Sequence, residues 1–299
     1  MVNSPDALVS YDYDENSESE LKDWHLVGNP YMYEAYPNMS YYVVSGFGIA
    51  EPETSGTVAP CEGIMIQGTD GSVDFTRTPA NNAQPSNLKV TLAQQVAFRG
   101  TVSSAKLDKA IISFNEGSQL SKFYFGENKA NIYIPQDGKD YAIVSSEAQG
   151  EMPVNFKAKE NGTYTLSIDV EGMEMNYLHL IDNMTGNDVD LLQNPSYSFE
   201  AKTTDYESRF KLVFVANNED SVSAGSTTFA IFSNGSFVIN NPSTGSGPAT
   251  LQVIDITGRI VKSESINGCA NINVNAAPGV YMLRLINGDN LQTQKIIIE

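Results

Sequence analysis

The sequence predicts an all-β chain of tandem antiparallel sandwiches, and three observations carry that expectation. Residues that fit a pleated, half-buried surface are abundant, with 15 Tyr and 13 Phe among many Val, Ile and Thr. Asn, Gly, Ser and Pro interrupt the apolar runs about every 8–12 residues, the spacing of short strands joined by turns. No long stretch carries the 3.6-residue apolar period of an amphipathic helix. With 299 residues and 41% hydrophobic content, the chain is long enough for two or three cores of roughly 100–150 residues each.

The charge divides the chain. The net charge is −18, with 13 acids against 2 bases in residues 1–80, 19 against 12 in 81–225, and 4 against 4 in 226–299. An acidic surface disfavours nucleic acid and anionic membrane as partners. Residues 1–20 are acidic and poor in strong hydrophobics, and read as a flexible lead-in. A first β module is expected over 21–85. Trp24 and Leu26 run into the Gly28-Asn29-Pro30 turn, "MSYYVVSG" is a second strand, and "EGIMIQGTDGSVDFTRT" holds two more. The Thr69-Asp70-Gly71 turn between those two is a hairpin signal. A second, sandwich-like module is expected over 86–215, where Tyr164, Leu166 and Ile168 share one strand face. "NMTGNDVDLL" reads as a loop or turn.

Residues 216–228, "ANNEDSVSAGSTT", read as a linker: polar, small and placed where the charge balance changes. The last unit, 229–299, should hold six or seven short strands. Tyr281, Leu283 and Leu285 share a face there. The Asn287-Gly288-Asp289-Asn290 turn makes "QKIIIE" the hairpin partner of "YMLRLING". A unit of about 70 residues has a marginal core, so its closing strand is expected to be integral to it.

In this last unit the residues are specific. Asn241-Pro242 follows its first strand; Asp255, Gly258 and Arg259 form Asp-x-x-Gly-Arg; Pro278, Gly279 and Tyr281 form Pro-Gly-x-Tyr; and Lys295 opens a final Lys-Ile-Ile-Ile. In this order, close to the last residue, they resemble the C-terminal sorting domain (type A) of proteins exported by the Bacteroidetes type IX secretion system. The resemblance implies a small Ig-like sandwich read by an outer-membrane translocon. It also implies removal by a sortase, which can join the new C-terminus to anionic lipopolysaccharide. Arg259 is open to two readings, a recognition residue or a charge that fixes its turn.

"WHLVGNPY", "YYVVSG" and "GTVAPCEGIMIQ" are similar to a β module that precedes such sorting domains in large Bacteroidetes surface proteins. "YIPQDGKDYAIVSSEAQGEMPVNFKA" and "GTYTLS" resemble the same class. That likeness implies jelly-roll or Ig-like sandwiches serving as stalk, spacer or adhesion surface. A type IX substrate must cross the inner membrane first, yet the acidic N-terminus lacks the basic and apolar regions of a signal peptide. The expectation is therefore a C-terminal portion of a longer protein, secreted or held at the cell surface after passing the periplasm.

Signals for chemistry are sparse. The two histidines, His25 and His179, lie in strand-like stretches without a neighbouring nucleophile motif. No Gly-x-Ser-x-Gly, His-Glu-x-x-His or Cys-x-x-Cys occurs. Cys61 and Cys269 are too few for a disulfide framework. The acidic stretches 12–20 and 182–190 lack EF-hand spacing, so no metal and no cofactor are expected. No run of about 18 apolar residues marks a transmembrane helix. Two weaker candidates complete the reading. Tyr41 and Tyr42, in the Tyr-rich stretch 31–42, could stack a sugar ring. Ser221, in "DSV", fits a Bacteroidetes O-glycosylation pattern. The expected function is non-catalytic, with the translocon and sortase as partners and a glycan or host surface ligand as a further candidate. The alternatives are the accessory tail of a secreted hydrolase, protease or glycosidase, and a carbohydrate-binding surface protein.

Overall fold

A computed structural model describes residues 7–19, 21–44, 50–69, 71–78, 85–98, 101–124, 129–217, 228–241, 248–288 and 290–298. Among these there is no helix, and the strands are mostly antiparallel, so the fold is all-β. The chain forms two compact units. One comprises Met1–Glu147, Met152–Gly172 and Leu180–Lys211; the other comprises Ala148–Glu151, Met173–His179 and Leu212–Glu299.

The first unit begins with two small sheets. Trp24–Gly28, Gly63–Gln67, Tyr41–Val44 and Ala50–Glu53 form one, in that spatial order. Ala7–Ser10, Ser72–Thr76 and Tyr36–Pro37 form the other. Val27, Ile64, Ile66, Val73 and Phe75 gather in their common core. The strands flanking Thr69–Gly71 therefore pair in different sheets and do not make the expected hairpin. The larger sheet is built on the long hairpin Asn87–Phe98 with Thr101–Ser113, extended by Gly162–Glu171 and Ser196–Ala201 on one side. On its other side Lys139–Ser145 runs parallel to Thr101–Ser113, with Ile143 opposite Ile111 and Val144 opposite Ile112. The chain between them is long enough to make the crossover that a parallel pair requires. The alternation read from the sequence is present: Tyr164, Leu166 and Ile168 are all buried. The stretch expected as a loop around 183–192 includes a short strand, Asn187–Asp190.

The segments before and after residue 85 share one core here. Tyr42 packs with Ile111, Leu120, Ala142 and Ile143, flanked by Trp24, Met65 and Phe123. Its hydroxyl accepts the Phe123 N–H at 3.0 Å and donates to the Ser121 carbonyl at 3.2 Å. Lys106 pairs with Glu51 at 2.7 Å, and Lys109 pairs with Glu53.

Two buried ion pairs brace this unit. Lys122 and Asp108 meet at 2.6 Å, with side chains 2% and 3% exposed. Asp108 also accepts the N–H groups of Ile132 and Lys109 at 2.9 Å each. Burial pulls the Lys122 ammonium below its ordinary pKa, against the pull of Asp108. Arg209 grips Asp182 with two hydrogen bonds, 3.1 and 2.9 Å, and lies over the rings of Phe199 and Phe210. Burial raises the Asp182 carboxyl, but the bonds from Arg209, Met184 and Tyr197 outweigh it and hold the group below the usual carboxylate range.

In the second unit Ala230–Ser233, Ser236–Ile239 and Ala270–Asn273 form a three-stranded sheet. Ile260–Ile266, Ala249–Asp255, Gly279–Asn287 and Asn290–Ile298 form a four-stranded one. Phe237, Ile239 and Ile272 from the first pack with Leu251, Val253, Leu283, Leu285 and Ile298 from the second. The expected closing hairpin is present, in register from Gly279 opposite Ile298 to Asn287 opposite Asn290.

Candidate functional site

The sequence motifs of the second unit become a site through one turn. Asp255 ends its strand, and the next four residues reverse the chain. The backbone closes twice, Gly258 N–H onto Asp255 O and Asp255 N–H onto Arg259 O, each at 2.9 Å. The Asp255 carboxylate fills the turn. Its Oδ1 accepts the Thr257 N–H at 2.9 Å, the Thr257 hydroxyl at 2.5 Å and the Arg259 N–H at 3.1 Å. Its Oδ2 accepts Arg259 Nε at 3.0 Å. The Thr257 hydroxyl, followed by Arg259, holds the carboxyl down at about 2 against some desolvation. Gly258 sits at φ +86° with open space around a Cβ position, so the turn needs glycine for its backbone conformation. Arg259 commits its Nε edge to this turn while its side chain stays 76% exposed.

The register then sets what surrounds the turn. Ile260, Ile254, Met282 and Lys295 lie opposite one another across the four strands. The next positions bring Val280 opposite Ile297. Leu251, Val253, Leu283 and Leu285 alternate with this set and are the ones buried in the core, so the row faces outward. A cavity of about 320 Å³ opens there. It is lined by the motif residues Asp255, Gly258, Tyr281 and Lys295, and by apolar Ile254, Ile256, Val280 and Met282. Four separate sequence motif positions thus converge on one depression.

Of the Pro-Gly-x-Tyr residues, Tyr281 lines this depression and also packs in the core, whereas Pro278 and Gly279 are not among its lining residues. The Tyr281 hydroxyl donates back to the Ala277 carbonyl at 2.9 Å, over the Pro-Gly pair. That closure locks the start of the strand and sets the phase of everything after it. Asn241 lies apart, buried at the end of the first sheet. Beside it Cys269, whose thiol is raised chiefly by burial, donates to Asn240 Oδ1 at 3.5 Å. Pro242 and Ser221 lie outside the described residues.

One residue escaped the sequence reading. Gln294 Oε1 accepts both Phe229 N–H, at 2.7 Å, and Ala230 N–H, at 2.8 Å, while its Nε2 donates to Ala230 O at 2.7 Å. A side-chain amide thereby mimics a strand partner and ties the final strand to the other sheet. Only its place in the outward-inward phase of "QTQKIII" could have hinted at this.

The remaining candidates are accounted for structurally. Tyr41 and Tyr42 are 2% and 1% exposed, which corrects the expectation of a sugar-stacking pair. They are consecutive on a strand buried on both faces, Tyr41 in the core of the small sheets and Tyr42 in the core shared with the larger one. His25 stacks on Tyr11 at 4.0 Å with its Nε2 3.0 Å from the Gly68 carbonyl. His179 stacks on Tyr177 at 4.1 Å. Asp14 and Asp190 accept N–H groups two residues on, at 3.0 and 2.9 Å, as local turn makers. Among the described residues no three His, Cys, Asp or Glu side chains are grouped so as to hold a metal ion.

A family model described as the secretion system C-terminal sorting domain matches residues 233–299. None of the curated proteins and none of the solved structures compared matches the chain.

Proposed function

Residues 233–299 form a C-terminal sorting domain of the type IX secretion system, and from that premise we propose that this is a non-catalytic protein of the cell surface. Export by this route is the part the domain itself carries. In our reading the earlier β modules are the cargo and serve as a stalk or adhesion surface on the outer membrane. The translocon reads the domain, and a sortase then removes it and links the cargo to anionic lipopolysaccharide.

The observation that supports a passive cargo is how its buried charges are spent. Among the described residues of the first unit, the fully buried acids Asp108 and Asp182 are each saturated by a cation and by backbone or hydroxyl donors; of the half-buried acids, Asp23 keeps a buried Oδ1 without a hydrogen-bond partner. A catalytic carboxyl needs a free lone pair or a raised pKa. The competing reading, an accessory tail of a secreted hydrolase, predicts a catalytic motif encoded upstream.

Intact masses of the native product from the cell surface and the periplasm test this. A surface species lighter than its periplasmic precursor by about one sorting domain, or carrying a glycolipid, is expected. Identical masses in both fractions would remove the sortase step.

A further inference from the structure

One end of the outward face of the four-stranded sheet, with the turn that follows Asp255, is apolar where a solvated face is ordinarily polar. Ile256 is 81% exposed, Ile297 62%, Ile260 50% and Met282 42%. Single exposed apolar residues are commonplace, but a contiguous set rimmed by charge marks an interaction surface. Among the described residues the rim is positive. The described acids of this sheet, Asp255 and Glu264, are consumed by Arg259 and Lys262. Lys295, at the end of the apolar row, and Arg284, opposite Thr293 one position on, carry no ion pair among the described residues.

We propose that this face is the docking surface for a protein partner in the secretion machinery, one that inserts an apolar side chain between Ile254, Val280 and Met282 and places a carboxylate on Lys295. The inference rests on the sorting reading above and adds the surface and the partner's chemistry. Two observations select this occupant. The depression lies between strands and is walled by side chains, a shape for one inserted group. Lys295 at its edge, without an ion pair among the described residues, calls for a negative charge immediately beside that group. A phospholipid, with an anionic headgroup and an apolar chain, is the competing occupant; the sorting reading, in which the domain meets the secretion machinery, favours a protein.

The test uses the full chain behind a fused signal peptide in type IX-competent cells, read as the surface-exposed fraction by protease shaving. Lys295→Glu and Ile256→Asn should each lower that fraction at least tenfold, with the melting midpoint of the purified chain unchanged. Lys295→Arg, and Ser265→Glu at the far end of the same sheet, should stay within twofold of the parent. Normal display of Lys295→Glu and Ile256→Asn, or an equal loss in Ser265→Glu, overturns the proposal. A chain lacking residues 233–299 separates the two levels. Its normal display would sink the sorting reading itself, whereas its retention beside normally displayed variants would sink only the docking face. Co-sedimentation of the purified chain with phosphatidylethanolamine–phosphatidylglycerol vesicles, lost in Lys295→Glu, would assign the face to lipid and overturn the protein partner.

Discussion

At the scale of single residues, Asp255 is the organiser of the sorting unit, because one carboxylate satisfies four donors within a five-residue turn. Its folded pKa of about 2 lies below the roughly 3.9 of an unfolded aspartate. The stabilisation is therefore complete above about pH 4 and is lost as pH falls towards about 2. Thermal melts should show the parent losing more stability than Asp255→Ala across that window, and an NMR titration should place the carboxyl near the lower limit. Gly258→Ala meets no neighbour, so its penalty is conformational, about 1 kcal/mol in a denaturation midpoint. In the first unit, Lys122→Ala leaves a buried Asp108 unpaired and should destabilise by about 3–5 kcal/mol in urea denaturation. Adding Asp108→Leu should recover only part of that, because the Ile132 and Lys109 N–H groups then lose their acceptor. The Asp-x-x-Gly-Arg turn was readable from sequence because every interaction in it spans at most four residues. The burial of Lys122 against Asp108 was not, because the partners are 14 residues apart and joined only by sheet pairing.

At the scale of elements, the final hairpin was legible and the Gln294 clasp was not. Strand alternation and the Asn287–Asn290 turn are local signals, and together they set the register seen from Gly279 to Ile298. Gln294 bonds backbone 64 and 65 residues earlier, a relation no local pattern contains. Gln294→Glu keeps the acceptor for Phe229 and Ala230 but turns the donor to Ala230 O into a repelling oxygen. A loss of about 1–3 kcal/mol follows, measured by denaturant midpoint, and Gln294→Ala should fall in the same range. The same limit explains the misread elements. A turn such as Thr69–Gly71 reports that the chain changes direction, not whether the next strand rejoins the same sheet. Parallel pairing of Ile143 with Ile111 likewise depends on a crossover. Tyr41 and Tyr42 looked like a binding pair because they lie in a tyrosine-rich stretch, and composition does not report that their strand has a core on both sides.

At the scale of the molecule, the all-β class followed from composition and turn spacing, and the sorting unit from the family resemblance that its ordered motifs carry. The outward apolar row did not, since Ile254, Ile260, Met282 and Lys295 come together only once four strands are aligned. The charge division runs along the same boundary: the excess of acids lies before the sorting unit, while the neutral sorting unit holds Arg284 and Lys295, without ion pairs among the described residues, beside an apolar depression. The central claim is that this unit directs export, and its closing strand supplies the Gln294 clasp, the Lys295 charge and the Ile298 core contact together. The most direct measurement is surface display of the chain, behind a fused signal peptide, with and without Gln294–Glu299 in type IX-competent cells. The account predicts that the shortened chain accumulates in the periplasm while the parent is accessible to protease on intact cells. Equal surface display of the two would contradict it.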